Sequence, residues 1–163
     1  MYYFLKRFLD IIGAIVALLL LGSFLLIGMV AIYLQMGRPL FFIQQRPGRN
    51  KKRFRMIKLR SMLLDPESKL SDEERITPLG QVIRKYSIDE IPQLLNVLKG
   101  DMSLVGPRPL LLEYDDLYSD LQNRRFEVKP GITGWAQVNG RNELSWEKKL
   151  ELDVEYVKSV NLW

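Results

Sequence analysis

Residues 11–36, IIGAIVALLLLGSFLLIGMVAIYLQM, contain no charged side chain. As an α-helix this run extends about 39 Å at roughly 1.5 Å per residue, which is enough to reach across a hydrocarbon core about 30 Å thick. A cleaved signal peptide would have a shorter apolar region followed by a small-residue cleavage site, and Tyr33-Leu34-Gln35-Met36 offers no such site. The sequence therefore predicts that residues 1–37 form a membrane-inserted helical anchor.

Basic residues flank the apolar run on both sides. Lys6 and Arg7 precede it, and residues 38–60 carry nine basic side chains and no acidic one. The positive-inside rule places the C-terminal part of the chain in the cytoplasm, where the basic block would lie on the anionic leaflet. Two basic flanks favour a re-entrant helical hairpin, and Gly22-Ser23 is the kind of pair that kinks helices. A simple spanning helix stays open, because such helices also contain glycine and serine.

The composition restricts the chemistry that the chain can perform. Its 163 residues correspond to about one domain and carry a net charge of +5. The chain has neither cysteine nor histidine, which excludes disulfides, thiolate catalysis, the Ser-His-Asp triad and most zinc or haem ligation. A metal would be bound by oxygen ligands, which favours Mg²⁺, Ca²⁺ or Mn²⁺.

Short periodic segments follow the predicted anchor. We expect strands at 40–43 and 54–62, helices beginning at Thr77-Pro78, near Ser87–Glu90 and at Ser145, a stiff extended segment at 103–109, and a loop around 129–134. The predicted fold class is α/β and mainly helical. A small cytoplasmic catalytic domain, residues 38–163, would combine short strands with interfacial helices.

Asp89 and Glu90 are the strongest catalytic candidates. Ser87-Ile88-Asp89-Glu90 matches a capping box, although Pro92 restricts where the helix begins, so that either Ser87 or Asp89 could be its cap. A carboxylate at the amino end of a helix stays ionised and can bind a cation or attack phosphorus. The alternative is that both acids are ordinary capping residues.

Four basic residues are candidate substrate-binding groups. Arg108 lies between Pro107 and Pro109, which fixes the direction of a guanidinium suited to two-point phosphate contact. The alternative is a proline-flanked surface turn. The other three, Lys58, Arg84 and Arg141, come from a set of basic residues that also includes Arg60, and each member of this set has the alternative of a solvated surface charge.

Several motifs, in this order along the chain, together resemble the bacterial sugar transferases, the small monotopic phosphoglycosyl transferases. The motifs are Lys6-Arg7 through Asp10, Gln44-x-Arg46-x-Gly48, Lys58-Leu59-Arg60-Ser61-Met62, Asp89-Glu90-Ile91-Pro92-Gln93-Leu94, Asn96-Val97-Leu98-Lys99-Gly100-Asp101-Met102-Ser103, Gly106-Pro107-Arg108-Pro109, Lys129-Pro130-Gly131-Ile132-Thr133-Gly134 and Gln137-Val138-Asn139-Gly140-Arg141. The resemblance covers nearly the whole chain.

The resemblance implies a Mg²⁺-dependent enzyme of the bacterial inner membrane, with its catalytic domain on the cytoplasmic face. It would transfer a sugar-1-phosphate from a UDP-sugar to a polyprenol phosphate such as undecaprenyl phosphate, release UMP, and supply downstream glycosyltransferases. The family nucleophile corresponds to Asp89, which would form a covalent phospho-sugar intermediate and ligate the metal. Glu90 would assist through the metal or as a base, and Arg108 would hold the donor phosphates. Phosphate, nucleotide or acceptor contacts would come from Lys58, Arg84 and Arg141.

The sequence departs from the family pattern in two places. Ser23 is followed by Phe24 where family members carry a proline that breaks the membrane helix. Family members also continue beyond the position of Trp163, so we expect a further C-terminal interfacial helix to be missing here. The alternative function is a non-catalytic membrane tether or adaptor that uses the basic block. We expect no nucleic-acid partner, because this block adjoins the membrane.

Overall fold

The apolar run forms one long helix, α1, which comprises Tyr2–Met36. The structure is a computed structural model that describes residues 2–65, 67, 69–140 and 143–160. Within these residues, α1 is the one helix long and apolar enough to cross a membrane. Many of its apolar side chains are exposed, and Leu19 reaches 79% exposure, which is compatible with membrane association.

Helix α1 is tied to the rest of the protein at both ends. Near its amino end, Arg7 donates hydrogen bonds to the carbonyls of Val97 and Leu98. Near its carboxyl end, the Arg60 guanidinium binds the Met36 carbonyl at 2.6 Å. The helix continues through Gly22-Ser23, so the expected break is absent. Phe24 keeps the backbone N–H that a proline would remove. The choice between re-entrant and spanning topology stays a prediction.

The remaining elements are short. They are β1 (Phe41–Pro47), β2 (Arg53–Leu59), α2 (Asp72–Arg75), α3 (Pro78–Lys85), α4 (Gln93–Lys99), β3 (Ser103–Val105), α5 (Asp120–Asn123), β4 (Gly131–Thr133), α6 (Trp135–Val138) and α7 (Trp146–Val160). Single 3₁₀ turns cover Arg49–Lys51, Ile88–Glu90, Leu112–Tyr114 and Arg124–Glu127. These elements confirm a mainly helical α/β chain with a few short strands.

Strands β1 and β2 form a hairpin; the sequence predicted two strands in this region but not their pairing. They pair antiparallel from Phe41 opposite Leu59 to Pro47 opposite Arg53. The connecting turn contains Asn50 at a φ of 54°, a left-handed conformation that asparagine tolerates better than most residues. The hairpin places the side chain of Lys58 beside Glu90.

The segment before α4 differs from the predicted capping box. Thr77 caps α3 and Pro78 occupies its first position, as predicted. Ser87, however, adopts a left-handed conformation and its side chain caps nothing, so the capping-box prediction is wrong. Pro92 has no N–H to bond the Ile88 carbonyl. The N–H of Ile91, one residue earlier, bonds that carbonyl in the 3₁₀ pattern instead. Helix α4 therefore begins at Gln93, three residues after Glu90.

A short parallel ladder connects two segments that are far apart in sequence. Strand β3 pairs with β4, with Ser103 opposite Gly131 and Val105 opposite Thr133. The sequence analysis predicted β4 as a loop, and that prediction is wrong. A Cβ on Gly131 would lie 2.1 Å from the backbone nitrogen of Gly106, so the ladder requires glycine there. The ladder fixes the extended segment that ends at Arg108.

The core lies between α1 and the short elements. One buried cluster brings Ala14 of α1 together with Phe54, Met56, Leu94 and Val97. A second cluster packs Ile32 of α1 against Leu59 and Ile83. Both clusters bury part of α1, so the candidate catalytic residues on β2 and beside α4 are held against the helix by packing.

Candidate active site

Five of the six predicted site residues line one cavity of about 690 Å³. They are Lys58 from β2, Arg84 from α3, Asp89 and Glu90 from the 3₁₀ turn, and Arg108 from the proline-flanked segment. The sixth, Arg141, lies outside the residues that the structure describes. Elements separated by many residues in sequence thus bring together the acidic pair and three of the predicted basic groups.

Glu90 is the centre of an ion-pair cluster. Its Oε1 accepts hydrogen bonds from the Arg108 Nη2 at 2.6 Å and from the Lys58 Nζ at 3.1 Å. Burial raises the pKa of Glu90, but the charges of Arg108 and Lys58 outweigh burial and leave the pKa below its ordinary value. Glu90 is therefore ionised at neutral pH, and its charge is compensated by two cations.

Asp89 has a different environment although it is the adjacent residue. It is 7% exposed, and burial raises its pKa, an effect that the charge of Lys58 partly offsets. Among the described residues, no side chain donates a hydrogen bond to its carboxylate. Neighbouring carboxyl groups whose environments move their pKa values apart commonly have separate roles. Among the described residues, Glu90 is the carboxylate paired with cations, and Asp89 is the one without such a pair.

Arg84 lines the cavity and is fixed by contacts with the segment that follows β2. It lies in the last turn of α3. Its Nε donates a hydrogen bond to the Ser61 Oγ at 2.8 Å, and its Nη2 contacts the Met62 Sδ. Both partners belong to the segment that directly follows β2, so the strand that carries Lys58 also orients Arg84.

The described lining of the cavity is positively charged. Six basic and three acidic side chains face it. One basic residue without a predicted role is Arg46, whose Nε is buried and has no partner within the described part of the chain. Burial and the nearby Arg108 lower the pKa of Arg46. A positive lining attracts anionic substrates such as diphosphates. In the sequence, the motif Gln44-x-Arg46-x-Gly48 already pointed to Arg46.

Arg60 borders the cavity, but its hydrogen bonds give it a structural role. The sequence analysis placed it in the Lys58–Met62 motif. It is 5% exposed and donates hydrogen bonds to the carbonyls of Met36, Gly37 and Arg38. Because these carbonyls lie at the carboxyl end of α1, Arg60 caps α1.

A family model described as bacterial sugar transferase matches residues 1–163. The chain belongs to the bacterial sugar transferase family. This transferase is 56% identical over 156 residues to an uncharacterized sugar transferase, EpsL, of Bacillus subtilis, covering 94% of the chain and 77% of that protein. It is 34% identical to the exopolysaccharide production protein ExoY of Rhizobium meliloti, covering 97% of the chain and 79% of that protein.

Longer relatives carry more specific names. The transferase is 39% identical to the UDP-glucose:undecaprenyl-phosphate glucose-1-phosphate transferase of Escherichia coli, with 98% of the chain covered. The chain spans 37% of that protein's length. The relatives therefore establish the family, and they include both short and long members.

The residues of this transferase fit Mg²⁺ only in combination with a substrate. Among the described residues, no group of three or more acidic side chains is suited to hold a metal. Mg²⁺ at phosphate-transfer sites usually takes one or two carboxylates, several waters and substrate phosphates. Asp89 and Glu90 match this requirement. Both described cation contacts of Glu90 are made by Oε1, so among the described contacts its second carboxylate oxygen is left for a metal.

A buried ion pair behind the cavity supports Arg108 of the transferase. The Nη2 of Arg125 donates hydrogen bonds to the Arg108 carbonyl at 2.6 Å and to the Asp153 Oδ2 at 2.8 Å. Both side chains of the pair are almost completely buried. The sequence analysis missed both residues. A signal for Asp153 existed, because an acid there interrupts the apolar face of α7 formed by Leu150 and Val157.

Replacing Arg125 with methionine is expected to lower the free energy of unfolding by about 3–5 kcal/mol, because a buried carboxylate loses its partner. Burial raises the pKa of Asp153 to about 6, although Arg125 opposes this. Because the pKa of Asp153 is raised in the folded protein, the contribution of Asp153 to the free energy of unfolding falls as pH rises through that value. Without Arg125 the pKa rises further, so the loss should be larger at pH 8 than at pH 5. Denaturant unfolding in detergent at both pH values measures it.

The adjacent Arg124 supplies the matched control. It forms an exposed pair with Glu127, and its replacement by methionine should change stability little. The double variant Arg125→Met/Asp153→Leu should recover most of the loss, since neither buried charge remains. An equal loss at both pH values, or no recovery in the double variant, would contradict this account.

Proposed function

We propose that this chain transfers a sugar-1-phosphate from a UDP-sugar to a polyprenol phosphate such as undecaprenyl phosphate. The observation that carries the proposal is the divided acidic pair: Glu90 is compensated by Arg108 and Lys58, while within the described part of the chain no side chain donates a hydrogen bond to Asp89. The names of the relatives support the same substrates. The adaptor hypothesis gives no reason for Asp89, Glu90 and Arg108 to converge on one cavity.

In the proposed first step, a carboxylate oxygen of Asp89 attacks the phosphorus that bears the sugar. The bond from that phosphorus to the bridging oxygen of the diphosphate breaks, and UMP leaves with the electron pair. In the second step, an oxygen of the polyprenol phosphate attacks the same phosphorus. The bond to Asp89 breaks, its carboxylate is regenerated, and a polyprenyl diphosphate sugar forms.

The basic residues stabilise the negative charge of both substrates. Arg108 can contact two phosphate oxygens at once through its guanidinium, and its side chain is 41% exposed to the cavity. Lys58 and Arg84 supply further charge near Asp89. Arg141 is proposed as a nucleotide or acceptor contact. Bound Mg²⁺, held by Asp89 and Glu90 together with the donor phosphates, would neutralise charge on the diphosphate.

The exposed apolar surface of α1 supports a position at the membrane. We place the catalytic domain on the cytoplasmic face of the bacterial inner membrane, with the apolar surface of α1 in the lipid and the basic hairpin turn against lipid phosphates. The product would be passed to downstream glycosyltransferases, whose identity depends on the sugar. This arrangement brings the cavity to the surface where a lipid acceptor is found.

The experiment that tests the function is UMP release by the purified chain across a panel of UDP-sugars. The panel includes glucose, galactose, N-acetylgalactosamine and N-acetylated bacillosamine donors, each with undecaprenyl phosphate in lipid nanodiscs. We expect UMP to form with at least one donor, and the amount of UMP released should equal the amount of sugar that becomes lipid-linked. Absence of UMP with every donor would contradict the proposal.

Removal of divalent metal is expected to abolish UMP release. Without the ion, the negative charges of Asp89 and the diphosphate repel each other. Excess EDTA should lower the rate by about a hundredfold or more, by analogy with the loss of other electrostatic stabilisers, and excess Mg²⁺ should restore it. The control is EDTA already saturated with Mg²⁺, and turnover that persists in free EDTA would exclude the metal.

A further inference from the structure

A second cavity lies between α1 and the segment that contains the acidic pair. Its volume is about 570 Å³, and we call it the apolar cleft. The side chains that define it are almost all apolar. They include Leu21, Phe24, Tyr86, Ile91, Leu94 and Ile132.

The apolar cleft meets the charged cavity at the acidic pair. Ser87 and Glu90 line both cavities. The Oε1 of Glu90 holds Arg108 and Lys58 on the side of the charged cavity. A ligand in the apolar cleft therefore ends against a group that is surrounded by phosphate-binding cations.

The apolar cleft is also open toward the exposed surface of α1. Leu21 is 39% exposed and Phe24 is 54% exposed. This is the surface that the proposed function places in the bilayer. A hydrocarbon chain dissolved in the membrane could enter the cleft sideways without crossing water.

These observations favour an amphiphile that has an anionic head and a hydrocarbon tail. A nucleotide sugar has too much polar surface for an apolar lining, since unpaired polar groups are costly to bury. A neutral lipid would leave unused the excess positive charge of the adjoining cavity, whose described lining has six basic and three acidic side chains. The acceptor of the proposed reaction has both required parts.

We propose that the apolar cleft binds the phosphate-proximal isoprene units of the polyprenol phosphate acceptor. The tail lies between α1 and the Ile91–Leu94 segment, and the phosphate head passes Glu90 into the charged cavity. The lipid-binding residues would be Leu21, Phe24, Leu94 and Ile132. This inference rests on the proposed function and assigns one of its two substrates to a separate place.

The test is Leu21→Trp, which narrows the apolar cleft and keeps α1 apolar. The Michaelis constant for undecaprenyl phosphate should rise by about tenfold or more, a size typical of misfit in an apolar pocket. The single burst of UMP formed without acceptor should be unchanged, because it needs only the donor. Leu19→Trp is the matched control, since Leu19 belongs to the same helix, is 79% exposed and does not line the cleft.

Photo-crosslinking provides a readout that does not depend on activity. A photoreactive phenylalanine derivative at position 21 should form an adduct with undecaprenyl phosphate in nanodiscs, and one at position 19 should form much less. An adduct at position 21 with phospholipid that undecaprenyl phosphate does not displace would overturn the proposal. A crosslink to a second protein copy would do so as well.

The outcomes separate the apolar cleft from the reaction. If wild-type protein releases no UMP with any donor, the proposed function fails. If it is active but Leu21→Trp and Leu19→Trp have the same Michaelis constant for the acceptor, the cleft assignment fails alone. If Leu21→Trp also loses the UMP burst, the cleft is part of the donor site and the assignment is wrong.

Discussion

The variant Asp89→Asn should release UMP about four or more orders of magnitude more slowly than wild-type protein, because it lacks the proposed nucleophile. Asparagine has nearly the same shape and size as aspartate but no negative charge to attack phosphorus. The site is 7% exposed, so a substitution of equal size is needed to preserve packing. UMP release with the active donor and undecaprenyl phosphate measures the effect.

Two comparisons show that the loss is chemical and not structural. Asp116→Asn makes the same change at an exposed position and should retain wild-type activity. Both variants should sediment with membranes and unfold at the same denaturant concentration as wild type. Wild-type activity in Asp89→Asn would remove this residue as the nucleophile and return the adaptor hypothesis to first place.

Glu90→Gln should have the second largest effect. The sequence analysis left two roles for Glu90, through the metal or as a base. The lowered pKa of Glu90 and its pairing with Arg108 and Lys58 make it a weak base. They favour the role through the metal, in which the negative charge of Glu90 holds cations in place. We therefore expect a loss of about a hundredfold or more, as for other preorganised electrostatic groups, in the step that uses the donor.

Separation of the two half-reactions checks this expectation. Without acceptor, wild-type protein should release one equivalent of UMP in a burst, and Glu90→Gln should show a much slower burst. A normal burst followed by slow transfer to undecaprenyl phosphate would instead identify Glu90 as the base for the acceptor. Glu155→Gln, at an exposed position of α7, is the matched control.

The regular elements were predictable where local sequence determines them. The run 11–36 specifies α1 by its apolarity, and Thr77-Pro78 specifies the start of α3 by a capping residue followed by proline. Ser87 shows the limit of such signals. It occupies a capping position in sequence, but Pro92 removes the backbone hydrogen bond that a longer helix would need. The turn at Asp89 therefore tightens into a 3₁₀ conformation.

The less predictable parts of the site depend on contacts between distant segments. Strand β4 has only three residues, the first of them a glycine, so its pattern is that of a loop until β3 pairs with it. The ion pair between Lys58 and Glu90 depends on how the hairpin packs against α4. The support of Arg108 by Arg125 is made through a backbone carbonyl, which no side-chain pattern reveals.

The attachment of α1 at both ends affects how the protein can be altered. Asp10 is 4% exposed and accepts hydrogen bonds from the Ser103 Oγ and the Leu104 nitrogen, at the start of the strand that leads to Arg108. A chimera in which an unrelated transmembrane segment replaces α1 would still reach the bilayer. It would lack this carboxylate and one wall of the interior packing, so grafted anchors cannot substitute for the native one. Helix α1 is thus an integral part of the folded domain and not an interchangeable tether.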